Sequence, residues 1–212
     1  MANVKKRIQG LLDVAGPSYA EAAGITLKDT PMPLYQLLVL ATLLSARINS
    51  EIAVAAAREL FQAGCRSPKA MLDASWQQRV DALGRAGYRR YDESTATRLG
   101  DGAQLLQEQY QGDLRRLAEA GDQQSDRTAE LLQQFPGIGP LGAQIFLREA
   151  QAVWPWLQPY LDDGVADRAA GLGLPRAAAE LARAAGTKDL SALTAAIVRA
   201  GSDKKLRERL PD

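Results

Sequence analysis

The 212-residue sequence contains no histidine and a single cysteine, Cys65. Without histidine, a Ser-His-Asp triad, a histidine general base and a histidine metal ligand are all excluded. One cysteine cannot form an intramolecular disulfide, an iron–sulfur cluster held by four thiolates, or a cysteine-based zinc site. Polar chemistry must therefore come from carboxylates, Arg, Lys, Tyr or hydroxyl groups, and we expect no metal and no cofactor.

Long apolar runs are also missing. The longest, Leu37–Leu44, is interrupted by Thr42 and falls far short of the roughly 20 residues that span a bilayer. The basic residues Lys5, Lys6 and Arg7 are followed by Ile8, Gln9 and Gly10, whereas a signal peptide has a continuous apolar segment there. We therefore expect a cytoplasmic protein with no membrane partner.

The charges are nearly balanced, with a formal net charge of +1. This balance does not by itself indicate a nucleic-acid partner. Of the 26 basic residues, 19 are Arg, and no lysine occurs between Lys69 and Lys188. Arginine suits bidentate contacts with phosphate, but a genome rich in G and C would produce the same bias.

The predicted fold is all-α, because Ala and Leu recur throughout and β-branched runs are scarce. Gly100 and Gly102 are expected to weaken the longest helix, and the charged tail from Ser202 is expected to fray. Gly, Pro and capping residues divide the chain into predicted helices over residues 4–14, 34–46, 50–62, 67–74, 75–84, 91–110, 113–118, 125–134, 140–150, 163–171, 175–185 and 190–200.

The sharpest local motif is the run Phe135–Ala143, which lies between two predicted helices. Gly137 and Gly139 permit a tight turn and a close approach of another backbone, and Ile138 between them can point inward as an anchor. Pro140 suits the first turn of a helix, whose free amides and dipole favour a phosphate oxygen. The alternative is an ordinary glycine-rich connection between two helices.

The run Leu131–Ala143 resembles the helix-hairpin-helix of the HhH-GPD DNA glycosylase superfamily, to which endonuclease III belongs. Residues 38–50 resemble the buried helix of that superfamily, 83–88 its second wedge segment, and 160–168 the region of its essential aspartate. The resemblance spans roughly residues 30–175. It implies two helical lobes with DNA bound in a cleft between them.

On this resemblance we expect two domains. One covers 28–150, a lobe like a six-helix barrel, with the helix-hairpin-helix at its end over 125–150. The other combines 1–27 with 151–212 and carries the aspartate.

The resemblance also implies residues that contact DNA. Arg47 occupies the place of a side chain that fills the duplex after a nucleotide is flipped out. Tyr88 corresponds to the opposite wedge, or else belongs to the core. Arg89 and Arg90 can meet phosphates, or form an ordinary solvated face. The hairpin residues expected to contact the backbone of DNA are Gly137, Ile138, Gly139, Leu141 and Gly142.

Three tryptophans, Trp76, Trp154 and Trp156, can stack on an extruded base, although a buried tryptophan is the commoner outcome.

The sequence departs from the family at two places. Bifunctional members carry a lysine two residues after the second hairpin glycine, where this chain has Leu141, so we expect no lyase reaction through a Schiff base. The C-terminal cysteine cluster of endonuclease III is absent as well. The aspartate is either Asp163, which we favour because Arg168 follows at the interval seen in the family, or Asp162. The alternative role for Asp163 is that of a plain helix N-cap.

These features predict a monofunctional DNA glycosylase of base excision repair, in which an aspartate activates water to release a damaged or mispaired base. We expect a monomer that binds double-stranded DNA containing a lesion. A second hypothesis is a catalytically inactive relative that recognises distorted or abasic DNA. A third, supported by the near-zero net charge, is a helical interaction protein without a nucleic-acid partner.

Overall fold

The computed structural model describes residues 2–208, and in this part of the chain the regular secondary structure consists of helices joined by turns and loops, without a strand. None of its helices is long and apolar enough to cross a membrane. The helices are α1 (Ala2–Ala15), α2 (Tyr19–Ala22), α3 (Pro31–Leu44), α4 (Ser50–Gln62), α5 (Pro68–Asp73), α6 (Trp76–Arg85), α7 (Asp92–Tyr110), α8 (Leu114–Ala120), α9 (Ser125–Leu132), α10 (Pro140–Ala150), a single 3-10 turn (Pro155–Leu157), α11 (Asp163–Gly171), α12 (Ala178–Ala185), α13 (Ser191–Ser202) and α14 (Lys204–Glu208).

The described residues divide into two compact units. Ala20–Leu147 form the central unit, and the residues up to Tyr19 together with those from Arg148 onward form the terminal unit. The sequence placed the corresponding boundaries at 27/28 and 150/151. The all-α class is confirmed.

The central unit is built around α3, in which every residue from Pro33 to Leu43 is buried. A helix that is apolar on all sides belongs in the interior of a domain. Leu34, Leu37 and Leu40 are fully buried, and α4, α7 and α8 pack against the helix. The prediction of a buried central helix is therefore confirmed.

The core of the terminal unit is formed by α1, α11, α12 and α13. Small and branched apolar side chains fill this core. Its largest buried members are Ile8, Leu11, Leu174, Leu181, Leu190, Leu193 and Ile197.

Several predicted boundaries were wrong. Helix α3 starts at Pro31 rather than Leu34, because proline is accepted in the first helical turn, and Thr30 precedes it in extended conformation. The segment 15–33, predicted as a loop, contains the short helix α2. The tail from Ser202, predicted to fray, contains α14 up to Glu208, and residues 209–212 lie outside the described part of the chain.

Helix α7 runs unbroken through Gly100 and Gly102, against the prediction that it weakens there. Both glycines are buried, but a Cβ would be crowded only at Gly100. A Cβ on Gly100 would lie 3.0 Å from a guanidinium nitrogen of Arg79, and one on Gly102 would lie 3.8 Å from the ring of Phe135. Neither glycine therefore interrupts the helix, and each faces a side chain from another part of the central unit.

Candidate functional site

The turn between α9 and α10 is a tight hairpin. The Ile138 amide donates to the Phe135 carbonyl at 3.0 Å, and the Ala143 amide donates to the Gly139 carbonyl at 3.0 Å. Gly137 has φ +90°, which side chains disfavour. Ile138 is 4% exposed, so it is the inward anchor that the sequence predicted.

Two hairpin glycines are required by packing within the central unit. A Cβ on Gly137 would lie 3.1 Å from Arg98 Cδ on α7 and 3.3 Å from Thr42 Cγ2 on α3. A Cβ on Gly142 would lie 2.5 Å from Ser45 Oγ, at the end of α3. The hairpin therefore packs directly against the C-terminal end of α3 and against α7.

Gly139 differs from these two glycines. Its φ is not positive, and a Cβ there would meet nothing within 4 Å. Neither the backbone conformation nor the packing of the described chain demands glycine at this exposed position. The lack of a side chain leaves room for a group from outside the protein to approach.

The same corner presents free backbone donors. Among residues 2–208, the amides of Gly139 and Leu141 find no acceptor, and both residues are exposed. They lie at the N-terminus of α10, where unpaired amides and the helix dipole together favour an anion. The hairpin can therefore bind one phosphate oxygen without reading a base.

Two exposed arginines accompany the hairpin. Arg47 lies two residues after Ser45, and the Ser45 hydroxyl packs on Gly142. Arg98 lies with its Cδ against Gly137. Neither forms an ion pair with any other residue between 2 and 208. Arg47 was predicted from the sequence. Arg98 was not, because no local pattern relates a residue on α7 to the hairpin.

Tyr88 is fully buried, which corrects its prediction as a wedge into DNA. Its hydroxyl donates to the Leu43 carbonyl at 3.3 Å, in the last turn of α3. Burial raises the pKa of this phenol. Tyr88 belongs to the core alternative, and its hydrogen bond supports the end of α3 that leads to Arg47.

The neighbouring Arg89 and Arg90 are exposed. The guanidinium of Arg90 lies 5.2 Å from the centre of the Tyr91 ring, a cation–π contact. Both side chains keep their charge at the surface, which fits either a phosphate contact or a solvated face.

The tryptophans differ in exposure. Trp154 is 2% exposed and stacks on the half-buried Trp156, with ring centres 5.2 Å apart. Trp76 is 41% exposed, and its indole nitrogen donates to Thr97 Oγ1 at 3.1 Å. Trp154 thus follows the expectation of a buried tryptophan, whereas Trp76 offers an accessible ring.

The terminal unit carries the two candidate carboxylates, and their environments differ. Asp162 is the N-cap of α11, and its Oδ1 accepts from the Val165 amide at 3.2 Å. Asp163 is the first residue of the helix and is exposed. The capping role that the sequence suggested for Asp163 therefore falls to Asp162.

Asp162 is 8% exposed, and it faces a cation. Its Oδ2 lies 3.2 Å from Arg148 Nε, within ion-pair range. That contact does not meet the directional requirement of a hydrogen bond, and Oδ2 accepts none from the residues between 2 and 208. Asp162 thus has one oxygen, Oδ1, in the cap hydrogen bond, and a second, Oδ2, that is buried beside the guanidinium and accepts no hydrogen bond from these residues.

The chain before Asp162 is anchored by Gln151, which is fully buried. Its side-chain amide donates to the Tyr160 carbonyl at 3.1 Å, and its Oε1 accepts from the Tyr160 amide at 3.1 Å and from the Leu190 amide at 3.2 Å. One side chain therefore fixes the backbone two residues ahead of the carboxylate. Neither Gln151 nor Arg148 was predicted, since each acts through residues that are not its sequence neighbours.

No protein-family model matches the chain, and no curated protein matches it. Among solved structures, it is similar to endonuclease III in a trapped covalent intermediate with DNA, an estranged-adenine complex. The two chains are 17% identical, with a TM-score of 0.49 over 92% of this chain and 84% of that one. A likeness at this level assigns neither a family nor an activity.

Proposed function

We propose that this protein is a monofunctional DNA glycosylase of base excision repair, which binds lesion-containing double-stranded DNA as a monomer and releases a base by hydrolysis. The observation that carries the proposal is the Asp162 carboxylate, which is buried at a helix start and has one oxygen without a hydrogen bond. A buried carboxylate restrained by the cap and by Arg148 has a fixed orientation, and a fixed carboxylate suits the stabilisation of a cationic transition state.

DNA binding is proposed for the hairpin corner. The Gly139 and Leu141 amides would bind one backbone phosphate. Arg47 and Arg98 would neutralise the charge of the neighbouring phosphates. These contacts hold the duplex in register and carry no sequence information. Lesion choice would then depend on the pocket that receives the extruded base, a specificity that the resemblance leaves open between alkylated purines and mispaired adenine.

The chemistry proposed for Asp162 follows from the charge that develops on the sugar. As the C1′–N bond breaks, its electron pair leaves with the base, which takes up a proton, and C1′ becomes electron-deficient. A carboxylate beside C1′ stabilises this cationic transition state. Water then adds to C1′ and gives its proton to the carboxylate, which leaves an abasic sugar.

A lyase step is not part of the proposal. Leu141, 53% exposed, stands where bifunctional relatives carry the lysine that attacks the sugar. No lysine lies between Lys69 and Lys188. The expected product is therefore an intact strand that contains an abasic site.

Asp163 is the rival carboxylate, and the sequence ranked it first. It is exposed, and its carboxylate forms no ion pair within residues 2–208. We prefer Asp162 because a carboxylate in a dry, fixed position stabilises developing charge more than one surrounded by water.

The alternative function is a catalytically inactive protein that recognises distorted or abasic DNA. It is favoured by the cap and the Arg148 contact, which give Asp162 a structural role without any chemistry.

The deciding experiment measures free base and alkali-dependent strand breaks on a panel of lesion duplexes, for the wild type, Asp162→Asn and Asp163→Asn. Asparagine caps a helix as well as aspartate, so the start of α11 survives the first substitution. We expect Asp162→Asn to lower the rate of base release by about 10²–10³ and Asp163→Asn to leave it within about threefold.

Each other outcome is informative. Loss in Asp163→Asn alone would restore the sequence-based choice. Tight binding to damaged duplexes without base release in any variant would support the inactive relative. Failure to bind any DNA at low salt would support a helical protein with no nucleic-acid partner.

A further inference from the structure

The contact between Arg148 and Asp162 is unusual for its burial. The Arg148 side chain is 11% exposed and that of Asp162 is 5% exposed. In the same unit, the pair of Arg176 and Asp167 is 62% and 67% exposed, as surface ion pairs usually are. Removing two charges from water is unfavourable, so a buried pair is weak evidence for a purely stabilising role.

Capping alone does not explain Arg148. A serine or asparagine at the N-cap would hold the start of α11 equally well and would need no cation beside it. An apolar side chain on α10 would fill the place of Arg148 without a charge to compensate. The guanidinium therefore adds to the cap a charge that faces the carboxylate.

The Gln151 side chain joins the backbone of Arg148 to the loop that carries Asp162. The Gln151 side-chain amide donates to the Arg148 carbonyl at 3.0 Å and to the Tyr160 carbonyl at 3.1 Å. Both sides of the ion pair thus share one buried tether. A displacement of either side would disturb the hydrogen bonds of Gln151.

The geometry points to Arg148 as a positioning residue, which holds the Asp162 carboxylate in one orientation for the sugar of the bound nucleotide. This inference rests on the proposed function. Val165 restrains Oδ1 through the cap hydrogen bond, and Arg148 restrains Oδ2 from 3.2 Å, so both oxygens of the carboxylate have fixed positions. Fixed orientation matters because small misplacements of a catalytic group lower rates strongly.

The test needs no knowledge of the lesion. Duplexes carry either a pyrrolidine abasic analogue, whose ring nitrogen is cationic like the transition state, or a neutral tetrahydrofuran analogue. The ratio of the two dissociation constants reports how well a carboxylate meets the cationic ring. The proteins are the wild type, Asp162→Asn, Asp163→Asn, Arg148→Met, Arg148→Lys and the double variant Arg148→Met with Asp162→Asn.

We expect Arg148→Met to lower the preference for the cationic analogue by at least about tenfold, with little change in affinity for the neutral one. Arg148→Lys should recover part of the preference, because it retains the charge but not the planar guanidinium. The double variant should match Asp162→Asn alone if Arg148 acts through Asp162.

Arg199 is the matched control in the terminal unit, since it binds the Ala15 carbonyl at 3.1 Å and stacks over Tyr19. Arg199→Met should lower the melting temperature and leave the preference unchanged. This separates a loss of positioning from a general loss of stability. If Arg148→Met fails to fold, Arg148→Lys and the double variant carry the comparison.

A preference that survives Arg148→Met but disappears in Asp162→Asn would overturn the inference and leave the proposed function standing. Absence of any preference in the wild type, or its loss only in Asp163→Asn, would overturn both the assignment of Asp162 and the role of Arg148.

Discussion

The hairpin corner and the carboxylate site are built in opposite ways. At the hairpin, backbone amides and missing side chains form an exposed surface, and Gly139 contributes by having no Cβ. At the carboxylate site, buried side chains from α10 and the start of α11 restrain one another. The first arrangement suits a ligand that is the same at every position of a duplex, such as phosphate. The second suits a reaction at a single carbon.

The difference also determines how each region tolerates change. A surface made of backbone is insensitive to most substitutions but sensitive to an added Cβ. A buried ion pair is sensitive to the loss of either charge, because the remaining charge stays away from water.

The largest effect is expected from Asp162→Ala. It removes the cap of α11 and leaves Arg148 without its carboxylate, so the free energy of unfolding should fall by about 3–5 kcal/mol. Asp163→Ala, one residue away, should lower it by under about 1 kcal/mol, since only a helix-dipole interaction is lost. Urea denaturation of both variants measures the contrast.

A control variant sharpens this comparison. Asp162→Asn combined with Arg148→Leu removes both charges and keeps the cap, so it should recover most of the loss. Equal destabilisation by Asp162→Ala and Asp163→Ala would mean that the pair contributes nothing beyond the cap.

A smaller effect is expected from Gly142→Ala. The new Cβ would lie 2.5 Å from Ser45 Oγ and 3.3 Å from Ile138 Cδ1, so the free energy of unfolding should fall by about 1–3 kcal/mol. Adding Ser45→Ala removes the closest atom and should restore part of the lost stability. Thermal denaturation of the single and double variants tests this, and a Gly142→Ala protein as stable as the wild type would contradict the packing described here.

The smallest effect on folding is expected from Gly139→Ala. Nothing in the described chain meets its Cβ, so the free energy of unfolding should change by under about 0.5 kcal/mol. Affinity for duplex DNA should nevertheless fall by about tenfold, because the methyl group obstructs the approach of a phosphate.

Gly171→Ala is the matched control, as Gly171 is exposed, helical and equally open. Fluorescence anisotropy with a labelled duplex compares the two variants. Unchanged binding by Gly139→Ala would remove the hairpin from the proposed interface.

The sequence predicted the features that local chemistry determines. The hairpin was found because Gly137, Ile138 and Pro140 are neighbours in the chain, and the central helix because its apolar residues are continuous. Gly100 and Gly102 were predicted to weaken α7, but the helix runs through both, and a Cβ on Gly100 would meet Arg79, which approaches from another helix.

The carboxylate site was predicted only in part. Two adjacent aspartates at a helix start were visible, but their division into a buried and an exposed one depends on Arg148 and Gln151. Tyr88 was offered as a wedge because residues 83–88 resemble the wedge segment of the family, whereas the side chain is buried and donates to the end of α3. Contacts of this kind join residues that are far apart in sequence, and the periodicity of apolar residues does not predict them.

The ion pair between Arg148 and Asp162 also constrains how the protein can evolve. A lineage that lost the chemistry could not simply replace the aspartate, since the first descendant would carry a buried arginine without this carboxylate and would be less stable. The two positions should therefore change together, or the arginine should be replaced by a neutral side chain before the aspartate changes. Among homologues, we expect the two identities to be inherited as a unit, and an apolar residue at position 148 to mark the branches where position 162 is free to vary.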